Sequence, residues 1–401
     1  MRLKPEHLRH PFRTAVAAKE RIAARLNMKR CADNGVRRFR GDPRYALESV
    51  TAGFASRLAP MPEDEQRREA EPDDAALLRR ICSAYIRAVE DEACVSPAYR
   101  ATAWWEEIRQ HNLKPVMRAL SGREIGALDR MYRNFFRDPC SAGLVGVPWS
   151  GALFGDASKD LYRRFYLSDA LQRIDYWKAQ TDGRFELSEL AGPGTGNPFG
   201  VLIEGTLVRT GSEYQHYCAH RVMSLLDSQR EVTVVEIGGG FGDMAYYLLR
   251  DRPGTAYVNF DLPETIALAS YYLLKAFPER RFVLYGEDEP GSFDVVLMPA
   301  FALAAMPAES ADVVFCSHLL SDVSGEAVVE YLDQITRIAR ESFLFVGSGK
   351  AAEQAFDLLR RGEHRFTLTA TRRSEWHRHR AAKWDEVECL YSAAGDRVCR
   401  C

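Results

Sequence analysis

The sequence predicts an α/β protein, a Rossmann-like domain built on a mainly parallel seven-stranded sheet and preceded by a helical N-terminal region. Three observations predict it. Val232 to Gly242, VTVVEIGGGFG, reads as a buried strand running into a glycine turn. Nineteen residues beyond Gly242, a second strand, AYVNFD, ends in Asp261. From there to the C-terminus, β-branched runs alternate with amphipathic stretches, the signature of strands joined by helical crossovers.

Taken in order, the chain divides into a basic arm and acidic linker at 1–74, a helical region at 75–195 and the sheet domain at 196–401. Pro11 to Leu26 reads as a basic helix, first a solvated arm and alternatively a contact for a partner or an anionic surface. Ala59 to Asp74 is acidic and punctuated by proline, which describes a linker or loop. Helical periodicity returns over Ala75 to Glu90, then in three helices between Trp104 and Arg137 and again over Leu161 to Gln180. The dense aromatics Trp104, Trp105, Tyr132, Phe135 and Phe136 read as core, with stacking on a sugar ring as the alternative. SAGLVGVPWSGALFG and GPGTGNPFG are loops, and short strands follow over Val201 to Val208. Ser212 N-caps a helix to Leu226. Its His216 and His220 share a face, but without an HExxH pattern no metal is expected.

Past Asp261 come a helix over Pro263 to Ala276, strands RFVLY, DVVLM, DVVFC and SFLFVG, helices over Gly325 to Arg340 and Ala351 to Arg361, and strand RFTLTAT. A last, antiparallel strand falls near Glu388 to Tyr391. Trp376, His377, Arg378, His379 and Trp384 form a basic aromatic segment, read first as a solvated loop and otherwise as cover for an acceptor.

Composition narrows the class. With 54 Lys and Arg against 56 Asp and Glu in 401 residues, the chain is not a nucleic-acid binder. The excess of base is local: residues 1 to 45 hold 13 Lys and Arg and 4 acids. No apolar run is long enough for a membrane span. The nine cysteines follow no disulfide pattern, so a cytoplasmic protein with reduced thiols is expected.

The glycine turn narrows the cofactor. A dinucleotide site wants GxGxxG, and Gly242 stands two residues after Gly240, which breaks that spacing. Glu236-x-Gly238-x-Gly240-x-Gly242 instead resembles the first motif of class I S-adenosylmethionine-dependent methyltransferases. With NPFG at Asn197 to Gly200, the Tyr-rich helix at Tyr214 to His220, FDLPE at Phe260 to Glu264, LMP at Leu297 to Pro299 and SHLLSDV at Ser317 to Val323, the chain is similar to the sugar O-methyltransferase family from about Ala75 onward. It departs from that family at Asp322-Val323, where Glu-Met is usual, and at Cys316 to Leu319, where Asn-x-x-Ser is common.

The resemblance implies S-adenosyl-L-methionine as cofactor and a sugar hydroxyl, free, nucleotide-linked or in a glycoside, as acceptor. Gly238, Gly239, Gly240 and Gly242 would pass against the cofactor, Glu236 would orient the turn, and Asp261 would accept from the ribose hydroxyls. Leu262 would pack beside the adenosine, and Met298 and Pro299 against adenine. Asn197, Tyr214 and Tyr217 fall on the acceptor side. His318, beyond strand DVVFC, is the first candidate base, with Asp322 to orient it and His216 as second base. A histidine that merely satisfies a turn is the plain alternative. Rival functions are O- or N-methylation of another small molecule such as a natural product, a nicotinamide-dependent oxidoreductase, and a non-catalytic cofactor-binding subunit. A homo-oligomer through the helical region is expected as the partner arrangement.

Overall fold

The computed structural model describes residues 11–55, 72–145, 160–228, 230–288, 293–362, 365–380 and 385–393. Residues 59–71 of the expected linker, the glycine-rich passage beyond 145, Trp384 and the C-terminal CxC lie outside them.

The N-terminal region is helical: α1 Pro11–Arg38, α2 Glu48–Ala55, α3 Pro72–Glu92, α4 Ala103–Ile108, α5 Lys114–Ser121, α6 Ile125–Tyr132 and α7 Asp160–Gln180. The basic helix runs well past Leu26 and packs along α7, with Cys31 and Phe39 buried. Its C-terminal half is therefore part of the fold and not a solvated arm.

A hairpin of β1 Gly200–Ile203 and β2 Thr206–Arg209 leads into α8 Ser212–Met223. The N-cap of α8 is Gly211 at φ 100°, a left-handed conformation that glycine adopts without strain. Ser212 does not cap; its hydroxyl donates back to the Arg209 carbonyl at 2.7 Å.

The sheet domain follows as β3 Val232–Ile237, α9 Asp243–Asp251, β4 Thr255–Asp261, α10 Pro263–Ala276, β5 Phe282–Leu284, β6 Val295–Pro299, β7 Ala311–Ser317, α11 Leu319–Asp322, α12 Gly325–Ile338, β8 Ala339–Ser348, α13 Gly349–Arg361, β9 Phe366–Arg373 and β10 Glu386–Ala393. The strand order is β5-β6-β4-β3-β7-β8-β10-β9. Strands β3 to β8 pair in parallel, and β10 runs antiparallel to both neighbours, as expected for the closing strand. The described sheet has eight strands, one for each strand read from the sequence and one more than the seven of the predicted fold class; the three residues of β5 form a short edge beside β6.

Strand periodicity divides the core. Val232 and Val234 pack on one face with Tyr257, Leu297, Phe315 and Leu344, while Val235 and Ile237 pack on the other with Val258, Phe260 and Val314. The first face shares one continuous apolar cluster with residues of the N-terminal helices, including Leu78, Leu120, Tyr132 and Trp177. Polar contacts tie the same regions. Glu264, in the first turn of α10 and 6% exposed, accepts from Trp105 Nε1 at 2.6 Å and from Arg109 at 2.8 and 2.9 Å. The helices thereby come to lie over the C-terminal ends of β3 and β4, where ligand sites of open α/β sheets form.

Candidate active site

A cleft of about 360 Å³ opens there. One half is built by the ends of β3 and β4. Gly238 and Gly240 have φ of 78° and 58°, so the chain reverses where side-chain-bearing residues are strained. A Cβ on Gly239 would stand 2.6 Å from the Asn259 amide, and the Gly239 N–H donates to that amide at 3.2 Å. The turn therefore lies tight against β4 with its backbone facing the cleft. Gly242 does a different job: it does not line the cleft, and a Cβ there would meet Leu273 of α10 at 2.9 Å. It lets α9 pack closely.

Asp261 completes this half. Its Oδ2 accepts from the Gly240 N–H at 2.8 Å and its Oδ1 from the Leu262 N–H at 2.7 Å. A carboxylate oxygen has two acceptor directions, so each keeps one for a ligand hydroxyl. Burial pushes the Asp261 pKa up to about 7 in spite of both donors. Glu236, also lining the cleft, takes the Tyr257 hydroxyl, and burial raises it to about 8. At neutral pH it is mostly protonated, so it acts there as a hydrogen-bonding group more than as a charge. Leu262 and Ala300 add apolar wall; Met298 and Pro299 end β6 but do not line the cleft, where Ala300 stands in their place. A cradle of bare backbone beside a carboxylate with two spare acceptor directions fits the methionyl and ribose parts of S-adenosylmethionine.

The other half is polar and comes from β7, α7, α8 and the segment before β10. His318 follows β7 at φ 65°, held by its own N–H to the Val346 carbonyl at 2.7 Å. Its side chain keeps 40% exposure because it lines the cleft, yet the surrounding protein lowers its pKa to about 4. It is neutral at physiological pH. Its Nε2 lies 3.6 Å from Glu386, a carboxyl raised to about 7 by burial and held by the Ser374 hydroxyl. Tyr214 bridges to Ser317 through hydroxyls 2.7 Å apart. Asp322 lines the same wall, its pKa raised by burial.

Besides Gly242, Met298 and Pro299, three more expected site residues lie outside the cleft. His216 is fully buried and packed among Trp177, Phe185 and Tyr247, with the Trp177 N–H donating to its Nδ1 at 3.2 Å. Desolvation lowers its pKa to about 3, and it does not face the cleft. His216, His220 and Asp251 do cluster. The lone pair on His216 Nδ1 is taken by Trp177, which leaves the proton on Nε2, and Arg250 grips both Asp251 oxygens. His216 Nε2 itself has no hydrogen-bond partner among the described residues. Tyr217 donates to Glu388 at 2.7 Å, under Arg372, and away from the cleft. Asn197, at φ 55°, donates to Asn134 at 2.6 Å while its carbonyl takes Arg137. It pins the 192–200 loop to the helical region.

Sequence reasoning missed Glu386, Arg173 and Arg209, none of which stands in a local motif, and passed over Ser317 although it opens SHLLSDV. The basic aromatic segment packs down instead of being solvated: Trp376 is 2% exposed, and His377 and Arg380 line the cleft. Trp105 is core, while Trp104, 55% exposed, lies in the cleft wall. Among the described residues, no helix is long and apolar enough to cross a membrane.

Residues 204–346, under half of the chain, match the O-methyltransferase domain family. Rat acetylserotonin O-methyltransferase is 28% identical over 166 residues, 40% of this chain and 35% of that enzyme, so the chain spans about a third of that relative. Among solved structures, the pyocyanin biosynthetic protein PhzM is 18% identical, with 46% of this chain and 56% of that one covered, at a TM-score of 0.33. Magnesium protoporphyrin IX methyltransferase from Synechocystis PCC 6803 with bound SAM is 12% identical, with 56% and 97% covered, at a TM-score of 0.34. The segment that builds β2 to β8 thus matches an O-methyltransferase domain model, and S-adenosylmethionine is the cofactor that this match supports.

Proposed function

We propose that the protein methylates a hydroxyl of a sugar, free, nucleotide-linked or in a glycoside. The observation that carries the reading is that the glycine turn with Asp261 and the neutral imidazole of His318 open into one cleft. When bound, S-adenosylmethionine supplies a methyl group made electrophilic by its sulfonium, and an acceptor oxygen takes that methyl as its proton leaves. Gly238 to Gly240 and Asp261 hold the cofactor. His318 accepts the hydroxyl proton, and Glu386 offsets the charge this puts on the imidazole. Tyr214, Ser317 and Asp322 supply hydrogen-bonding groups for neighbouring hydroxyls. Positioning, more than acid–base strength, provides the rate enhancement, because a histidine with a pKa of about 4 is a weak base.

The second reading is a hydroxyl on an aromatic small molecule, supported by the likeness to the rat enzyme and by the exposed Trp104 in the cleft wall. Titration with S-adenosylhomocysteine and with NADH tests the cofactor: the first is expected to bind in the micromolar range, and NADH binding alone would move the chain to the oxidoreductases. Turnover is then compared on nucleotide sugars, glycosides and hydroxylated aromatics. Methylation of the aromatics alone would overturn the sugar assignment.

A further inference from the structure

The polar half of the cleft holds a feature that methyl transfer to a plain hydroxyl does not use. Arg173 of α7 is 2% exposed, yet it lines the cleft. Its Nε reaches Glu213 at 3.3 Å and its Nη1 donates to His377 Nε2 at 2.8 Å, an imidazole kept neutral by burial and by the neighbouring guanidinium groups. Its Nη2 has no hydrogen-bond partner among the described residues. Arg380, in the turn before β10, lines the same wall. Its Nε and Nη2 are held by Asp169, which also takes His379 at 2.6 Å, and its Nη1 likewise has no partner among the described residues.

Two guanidinium groups are thus fixed from behind by carboxylates while donors remain over for the cleft. Neither spare Nη group is among the fully buried unpartnered atoms, so both are open to the cleft, where paired oxygens on a ligand can take them with charge-assisted hydrogen bonds. The two come from distant parts of the chain, converge beside Tyr214 and His318, and need little reorganisation to bind. Glu213 and Asp169 are their only carboxylate partners among the described residues. Of the other acids, Glu236, Asp243 and Asp261 stand at the glycine turn and Asp322 beyond His318, while Glu386 lies behind His318 within electrostatic reach of Arg173, its own charge reduced by a pKa raised to about 7.

We propose that the acceptor carries a phosphate or carboxylate group, seated on Arg173 and Arg380, which aims its hydroxyl at His318. This rests on the function proposed above and narrows its acceptor to an acidic sugar: a sugar phosphate, a nucleotide sugar or a uronic acid.

The test uses the full chain saturated with S-adenosylhomocysteine, titrated calorimetrically with inorganic phosphate, pyrophosphate and malonate, with sodium chloride as control. Saturable binding of an oxyanion is expected, weakened about tenfold in Arg380→Gln and in Arg173→Gln, the loss of one charge-assisted hydrogen bond. It should be unchanged in Arg360→Gln, whose side chain is 65% exposed on α13. Preference for the phosphates or for malonate separates the two chemistries. Retained S-adenosylhomocysteine binding certifies each variant's fold; should Arg173→Gln fail it, Arg173→Lys replaces it. No saturable binding by the unaltered protein, or equal binding in all variants, overturns the proposal. Failure of S-adenosylhomocysteine to bind at the outset would sink the cofactor reading instead, so the two failures are distinct.

Discussion

His318 Nε2 and the Glu386 carboxylate lie 3.6 Å apart, across the cleft end of β7 and β10. That is too long for a hydrogen bond and close enough for the carboxylate to stabilise a protonated imidazole. The pair gives His318 a partner only when it takes a proton. His318→Gln is expected to lower kcat by about 10²- to 10⁴-fold, the usual worth of a positioned base, while S-adenosylhomocysteine affinity stays nearly constant. Glu386→Gln should cost less and change the pH profile of kcat. Steady-state kinetics over pH 5 to 9 checks both, and an undiminished kcat in His318→Gln would remove the histidine from the mechanism.

Asp261 serves the turn and the ligand with the same two oxygens. Asp261→Ala is expected to weaken S-adenosylhomocysteine by about 100-fold or more, since two buried donors also lose their acceptor. The folded protein should melt lower as well. Calorimetric titration beside a thermal melt reads both effects; full affinity in a folded variant would contradict the assignment.

Glu264 joins helical region to sheet through Trp105 and Arg109. Glu264→Gln leaves a nearly buried arginine with only Glu92 and Glu106 as acidic partners. A loss of about 3 kcal/mol in urea unfolding is expected. Because those helices wall the cleft, cofactor affinity should fall with it.

His216 makes the protein sensitive to acid. Its folded pKa of about 3 lies below the ordinary 6.5, so the native state keeps it neutral while the unfolded chain protonates. Stability is therefore lost as pH falls from 6.5 toward 3, with a limiting slope of about 1.4 kcal/mol per unit from this group. His216→Phe should flatten that slope, at some cost at neutral pH from the unpaired Trp177 N–H. Urea unfolding at pH 7 and pH 5 measures the difference; an unaltered slope would show that other groups dominate.

The local half of the site was legible in the sequence. Strand, glycine turn and acid at the next strand's end are close along the chain, and strand-turn-helix sterics bring Gly238 to Gly240 and Asp261 to one cleft. His318 was legible for the same reason, as the residue just past a buried strand. The remaining expectations depended on direction. His216, Tyr217 and Tyr214 share one helix, and only packing decides that Tyr214 turns to the cleft while the other two turn to Trp177 and Glu388. Glu386, Arg173 and Arg380 belong to the site through strand order and helix docking, which place β10 two strands from β7 and α7 against α8. The sequence by itself determined the cofactor, because that site is a property of one strand-turn-helix unit. Only the tertiary structure decided the acceptor side, because its residues are joined by burial of a common core and not by spacing.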